Sequence, residues 1–275
     1  MIKDIVVNLS GRSPQNVAAE YATSIAATFG AHLVGIAFVY EPVIPDGMLG
    51  GVPLELIESQ REENSNLAKT AASRFETMTK AAGVAAETRV LDATFGNAAS
   101  LFAGIAKRFD LAVVGQAQRE RAASEELMIE GALFESGRPL IVVPYIQTRG
   151  LSLERVLVCW DGGRTAARAI ADAMPFLAHA KAVDLVVVAE RHKNAEITGA
   201  NIGEHLARHG VAAEVKRLAK ADLATADVIL SHAADCGADL MVMGGYGHSR
   251  LREFILGGVT RSILAAMTLP VLMSH

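Results

Sequence analysis

A chain of 275 residues is long for one domain and comfortable for two of ordinary size. Its net charge is −4 and it has no basic block, which argues against free nucleic acid or an anionic membrane as a partner. Apolar residues make up 51% and aromatics only 5%, yet no apolar run reaches the ~18 residues of a membrane span, so helices packed on parallel sheets are the class that fits.

The opening Met1-Ile2-Lys3-Asp4-Ile5-Val6-Val7 reads as a strand rather than a signal peptide, because Asp4 interrupts it and no long apolar segment follows. A cytoplasmic location is the resulting expectation. In chain order the first half reads strand 4–8, helix 14–29, strand 32–39, helix 53–82, strand 86–91, helix 97–108, strand 110–114, helix 123–136 and strand 140–143. The stretch 41–53, rich in proline and glycine, leads into the long helix and has no counterpart later; it covers a pocket, offers a partner surface or is simply a surface loop. A short polar link, Gln147-Thr148-Arg149-Gly150, separates the halves. The second half reads strand 155–160, helix 163–180, strand 183–189, helix 198–209, strand 212–218, helix 223–236, strand 239–243, helix 258–267 and strand 270–273. Short apolar strands separated by helical stretches argue βαβ units with right-handed crossovers.

The halves repeat each other. Ile5 to Gly11 lines up with Val156 to Gly162, Phe109-Asp110-Leu111 with Ala238-Asp239-Leu240, and Pro139-Leu140-Ile141-Val142 with Pro270-Val271-Leu272-Met273. Three landmarks in the same order make an internal duplication. The expected domains are 1–148 and 151–275.

The most informative stretch follows the apolar run Asp239 to Met243. It reads Met243-Gly244-Gly245-Tyr246-Gly247-His248-Ser249-Arg250, then Leu256-Gly257-Gly258-Val259-Thr260, after which Val259, Ile263 and Met267 take helical spacing. Strand, glycine loop and helix start together hold an anion: glycines admit close backbone approach, and free N–H groups face the ligand at the helix start. A glycine-rich turn without any ligand is the plainer alternative. The spacing is Gly, two residues, Gly, nine residues, Gly, which is neither a Walker loop nor a dinucleotide fingerprint.

This spacing, carried by Gly244, Gly247 and Gly257, resembles the nucleotide-binding signature of the universal stress protein family, and the tandem architecture resembles that family's two-domain form. The resemblance implies a pair of open-sheet, Rossmann-like α/β domains. Each would have five parallel strands in the order 3-2-1-4-5, and a pseudo-twofold would relate the domains, their closing strands meeting so that the chain is its own dimer. It implies a protein of the stress response that binds ATP or AMP in its second half. Magnesium would be held through the phosphates, and an unknown protein partner would read the occupancy. By resemblance Asp161 contacts the nucleoside, with the base near Val187 and Val188. The phosphates rest on Met243, Gly244, Gly247, Gly257, Gly258, Val259 and Thr260. His248 and Arg250 are charge-assisted donors to phosphate oxygens or ordinary loop residues. Asp161 has a plainer role too, as a cap for the following helix. The family usually has a hydroxyl where this chain has Gly258. That absence removes one hydrogen bond to a charged group, about 1.5–3 kcal/mol. A further homodimer is open; nucleic acid and membrane are not expected.

The first half lacks these features. Ser10 replaces the aspartate, Gln118 stands at the place of Gly247, and Glu125, Glu126 and Glu130 follow. A degenerate copy that binds no ATP is expected. No Gly-x-Ser-x-Gly, Walker aspartate or carboxylate pair marks a dedicated enzyme. Slow ATP hydrolysis and a ligand-free scaffold are the alternatives. Cys159 and Cys236 lack CxxC spacing and read as buried thiols rather than metal ligands. His205 and His209 sit at i, i+4 without a third ligand and read as a solvated helix face.

Overall fold

The structure is a computed structural model, and it describes residues 1–9, 16–42, 53–118, 122–189, 199–220, 222–246 and 258–275. Ten strands and eight helices alternate along these residues. They divide into two compact units, Ile2–Ser136 and Gly137–His275, with Met1 grouped with the second.

The N-terminal unit runs β1 (Asp4–Leu9), α1 (Val17–Phe29), β2 (His32–Tyr40), α2 (Leu54–Ala81), β3 (Ala86–Ala93), α3 (Ala98–Ala106), β4 (Leu111–Gly115) and α4 (Ala122–Glu135). Its strand order is β3-β2-β1-β4, all parallel. The inner strands are apolar on both faces because helices cover both: Ile5, Val6, Val7, Leu33, Val34, Leu111, Ala112 and Val113 are all buried. The edge strand β3 instead has mostly exposed residues. Alanines 18, 19, 22 and 26 let α1 lie close on the sheet. Helix α1 starts at Val17 rather than 14, because the Asn16 side chain accepts the Ala19 N–H at 3.1 Å and caps it there; Gly30, at φ 59°, ends it.

The C-terminal unit opens with β5 (Leu140–Val143). It continues through β6 (Arg155–Cys159), α5 (Arg164–Leu177), β7 (Ala182–Ala189), α6 (Gly199–Arg208), β8 (Ala213–Ala219), α7 (Thr225–Asp235), β9 (Leu240–Gly244), α8 (Gly258–Ala266) and β10 (Val271–Ser274). The order β8-β7-β6-β9-β10 is parallel throughout and realises the expected 3-2-1-4-5. Beyond β10 lies β5, running antiparallel, with Val142 opposite Val271, Ile141 opposite Leu272 and Leu140 opposite Met273. All six are fully buried. The two closing strands therefore do meet, and each covers the apolar edge the other would expose.

The duplication has a physical counterpart. The Asp110 carboxylate accepts the N–H groups of Lys3 (2.8 Å) and Asp4 (3.1 Å) at the start of β1. The Asp239 carboxylate accepts the N–H of Arg155 (2.9 Å) at the start of β6. In each half the aspartate before the fourth strand pins the beginning of the first.

Candidate functional site

Strand order marks a candidate ligand crevice in the C-terminal unit. From β6 the chain steps to β7 and β8, then returns past β6 to β9, so the connections diverge between β6 and β9. In open parallel sheets the crevice at such a switch, outside the carboxyl ends of the strands, takes the ligand. The pairing of Val158 with Val242 brings the ends of β6 and β9 side by side. Asp161 leaves the end of β6, and Gly244 ends β9.

Asp161 is exposed and shapes the turn into α5. Its Oδ1 accepts the Gly163 N–H at 2.8 Å, while Gly162 takes φ 77°. This is an Asx turn, not a helix cap, since the N-cap position is Gly163 and has no side-chain cap bond. The carboxylate is thus fixed in direction before any ligand arrives.

Gly244 has a reason of its own. A Cβ there would lie 2.5 Å from Thr165 Oγ1, 2.6 Å from Ala166 N and 2.7 Å from the Thr165 carbonyl carbon. The end of β9 therefore packs directly on the first turn of α5, locking the Asp161 turn to the start of the glycine loop. Met243, just before it, is core. After it the Gly245 N–H donates to the Ser274 carbonyl at 2.8 Å. Tyr246 then takes φ 49°, uncommon for a residue with a side chain, and turns the chain out of the sheet.

Thr260 ties the far side of the loop. It is buried, and its Oγ1 accepts the Tyr246 N–H at 3.3 Å. Gly258 and Val259 are exposed at the first turn of α8, where backbone N–H groups have no partner within the helix. Val187 and Val188 follow Val186, the register partner of Cys159, and so lie beside Trp160 and Asp161. Val187 is core and Val188 half-buried, so of the two Val188 is the more accessible at that edge. Gly247, His248, Arg250 and Gly257 lie outside the described residues. Cys159, at the end of β6, has its thiol pushed up to about 12, first by burial and then by the Asp161 carboxylate.

In the N-terminal unit the residues just after β4 make an internal bond instead. The Gln118 N–H donates to the Glu125 carboxylate of α4 at 2.7 Å. A side-chain anion takes a backbone N–H of the loop after β4. The sequence alone marked Glu125 only as repulsive; the bond adds a positive reason for its presence. Thr165 was not visible as a site residue either, because its contact with Gly244 joins distant parts of the chain. A hollow along α2, lined by Ser59, Glu62, Glu63, Asn66, Leu67 and Thr70, carries two carboxylates and no basic group, which does not suit a phosphate.

Residues 152–275, the C-terminal half with this loop, match the model of the universal stress protein family. That half is a universal stress protein domain. No curated protein matches the sequence. Among solved structures, a universal stress protein from Archaeoglobus fulgidus DSM 4304 superposes with a TM-score of 0.72 at 17% identity, covering 98% of this chain and 97% of that chain. A functionally unknown protein from Pseudomonas aeruginosa PAO1 superposes with a TM-score of 0.65 at 14% identity, covering 99% of this chain and 92% of that chain. At these identities the likeness is one of fold, and it spans both halves: the chain is a tandem universal stress protein fold.

Proposed function

We propose that this universal stress protein binds one adenine nucleotide, ATP or AMP, in its C-terminal half and serves as a nucleotide-responsive regulator in the stress response. The observation that carries the reading is the junction at the carboxyl ends of β6 and β9. There a direction-fixed carboxylate, Asp161, follows the end of β6 beside the end of β9, where Gly244 opens the Gly-x2-Gly-x9-Gly sequence.

The parts fit such a ligand. Asp161 suits a ribose hydroxyl or a base amino group, with Val187 and Val188 along the base. Met243 and Gly244 set the floor by packing on α5. Gly247, Gly257, Gly258 and Val259 offer backbone N–H groups to phosphate, Thr260 braces the loop, and His248 and Arg250 supply charge. Magnesium, when present, is held by the phosphates. Space supports this too: among the described residues, a Cβ at Gly258 would meet nothing within 4 Å.

The domain assignment follows. Residues 151–275 form the nucleotide-binding domain, and residues 1–148 a degenerate copy whose Glu125 already occupies a loop N–H. The described helices include none long and apolar enough to cross a membrane, and a cytoplasmic setting suits the two free thiols. A protein partner reading the occupied state, and a homodimer beyond the β5–β10 pairing, complete the proposal.

The direct test is mass analysis of nucleotide released from the purified chain by denaturation. The reading predicts adenine nucleotide, at no more than one per chain. Protein that carries none, and takes up none when incubated with millimolar ATP or AMP, leaves a ligand-free scaffold instead. Turnover of ATP that disappears in a Gly247 variant would make the same site a slow hydrolase.

A further inference from the structure

At the opposite end of the C-terminal sheet, three side chains of different chemistry converge. Asp184 lies near the amino end of β7, opposite Leu157 in register, and is almost fully buried. His232 and Cys236 stand four residues apart at the end of α7, which packs on β7. One carboxylate oxygen, one imidazole nitrogen and one sulfur from these residues all lie within 4.8 Å of one another.

Each of the three is left with coordinating capacity. His232 Nε2 is buried and has no hydrogen-bond partner among the described residues, a costly state for a polar atom. The Cys236 thiol makes a long contact to the Ala233 carbonyl, at 3.6 Å, too long to hold the sulfur firmly. Asp184 is held from one side by Arg155, whose Nη1 lies 3.0 and 2.9 Å from its two oxygens. Each carboxylate oxygen keeps a second lone pair, and an outer partner that orients a ligand is what metal sites regularly have.

We propose that Asp184, His232 and Cys236 bind a divalent transition-metal cation of the zinc class, with water completing a tetrahedron. The mixed oxygen, nitrogen and sulfur set selects zinc over magnesium or calcium, which prefer oxygen alone. Tetrahedral ligands at zinc distances stand roughly 3.4–3.8 Å apart, so closure from the present spacing takes side-chain adjustments of about an ångström. On binding, the Cys236 thiol gives its proton to solvent and enters as thiolate. Burial, and then the Asp184 carboxylate, push that thiol up. The cation then balances the carboxylate and thiolate, while Arg155 remains paired with Asp184.

The consequence is structural. The metal staples α7 to β7 near the amino end of that strand, away from the proposed nucleotide end. Sequence spacing shows no CxxC, so the useful signal is His232 and Cys236 on one helix face.

Cobalt tests the site on the intact, metal-stripped chain. The expected result is one equivalent of Co2+ with tetrahedral visible bands and a thiolate-to-cobalt charge-transfer band, displaced by Zn2+. Cys236→Ser should abolish the charge-transfer band, and His232→Gln should weaken binding at least about tenfold. Cys159→Ser and the double variant His205→Gln/His209→Gln should leave the spectrum unchanged. Circular dichroism confirms that each variant is folded; Asp184 is left intact because its loss would also strand Arg155. A spectrum unchanged by Cys236→Ser, binding that depends on His205 and His209, or no thiolate band at millimolar Co2+ would overturn the proposal.

Discussion

At the scale of single residues, the two glycines that flank the loop do different jobs, and substitution separates them. Gly244 is demanded by packing, because any Cβ would press on the backbone and hydroxyl of the first turn of α5. Gly244→Ala should therefore lower stability by about 1–3 kcal/mol in urea denaturation. A loss under about 0.5 kcal/mol would mean that the β9–α5 contact relaxes freely. At the helix start a Cβ on Gly258 would meet none of the described residues within 4 Å. Gly258→Ser should leave stability nearly unchanged and restore the hydroxyl the family usually has there. If the phosphates lie at that point, ATP should bind about ten- to a hundredfold tighter. Unchanged affinity in calorimetry would move the phosphates elsewhere.

Cys159 gives a residue-scale prediction in pH. With its pKa raised to about 12 by burial and by Asp161, it remains a thiol at neutral pH. In the unfolded chain it would ionise near pH 9. The raised folded value means that this group's contribution to stability is whole below pH 9 and is lost as pH climbs toward 12. Alkylation by iodoacetamide, followed by mass mapping in the native protein, should be slow at pH 8. It should rise only well above pH 9. Rapid labelling of Cys159 at pH 8 would show that its sulfur is better solvated than its surroundings imply.

At the scale of elements, the pairing of β5 with β10 closes the C-terminal sheet. Ile141 and Leu272 face each other in register with no exposed surface. Ile141→Ala should cost about 2–5 kcal/mol, measured by denaturant, through a cavity that neighbouring strands cannot fill. A cost below 1 kcal/mol would mean that the edge is loosely packed. Most of this layer was legible in the sequence. Parallel strands covered on both faces write themselves as continuous apolar runs, as Val183 to Val188 nearly does, and the repeated aspartates 110 and 239 marked equivalent positions. Asp184 breaks that run, and its reason, the ion pair with Arg155, is a contact no periodicity reveals. The start of α1 falls at Val17, within a few residues of the expected 14, because Asn16 caps the helix from within a polar stretch whose other residues offer similar signals.

At the scale of the whole molecule, the asymmetry of the halves is the functional statement. Sequence placed Asp161 and Gly244 at the carboxyl ends of two strands, and strand order makes those strands neighbours. It did not show that Thr165 joins them through packing, nor that Thr260 spends its acceptor on Tyr246. Those links depend on how α5 and α8 settle on the sheet, which local patterns do not encode. In the N-terminal half, Glu125 bonds the loop after β4 internally, where the C-terminal half has glycines.

Calorimetry of the intact chain with ATP, ADP and AMP, set beside a Gly257→Phe variant and a Glu126→Ala variant, tests this asymmetry most directly. The account predicts one nucleotide per chain, binding lost in Gly257→Phe through steric exclusion of the phosphates, and binding retained in Glu126→Ala. Binding that survives Gly257→Phe but fails in Glu126→Ala, or none at millimolar nucleotide, would contradict it.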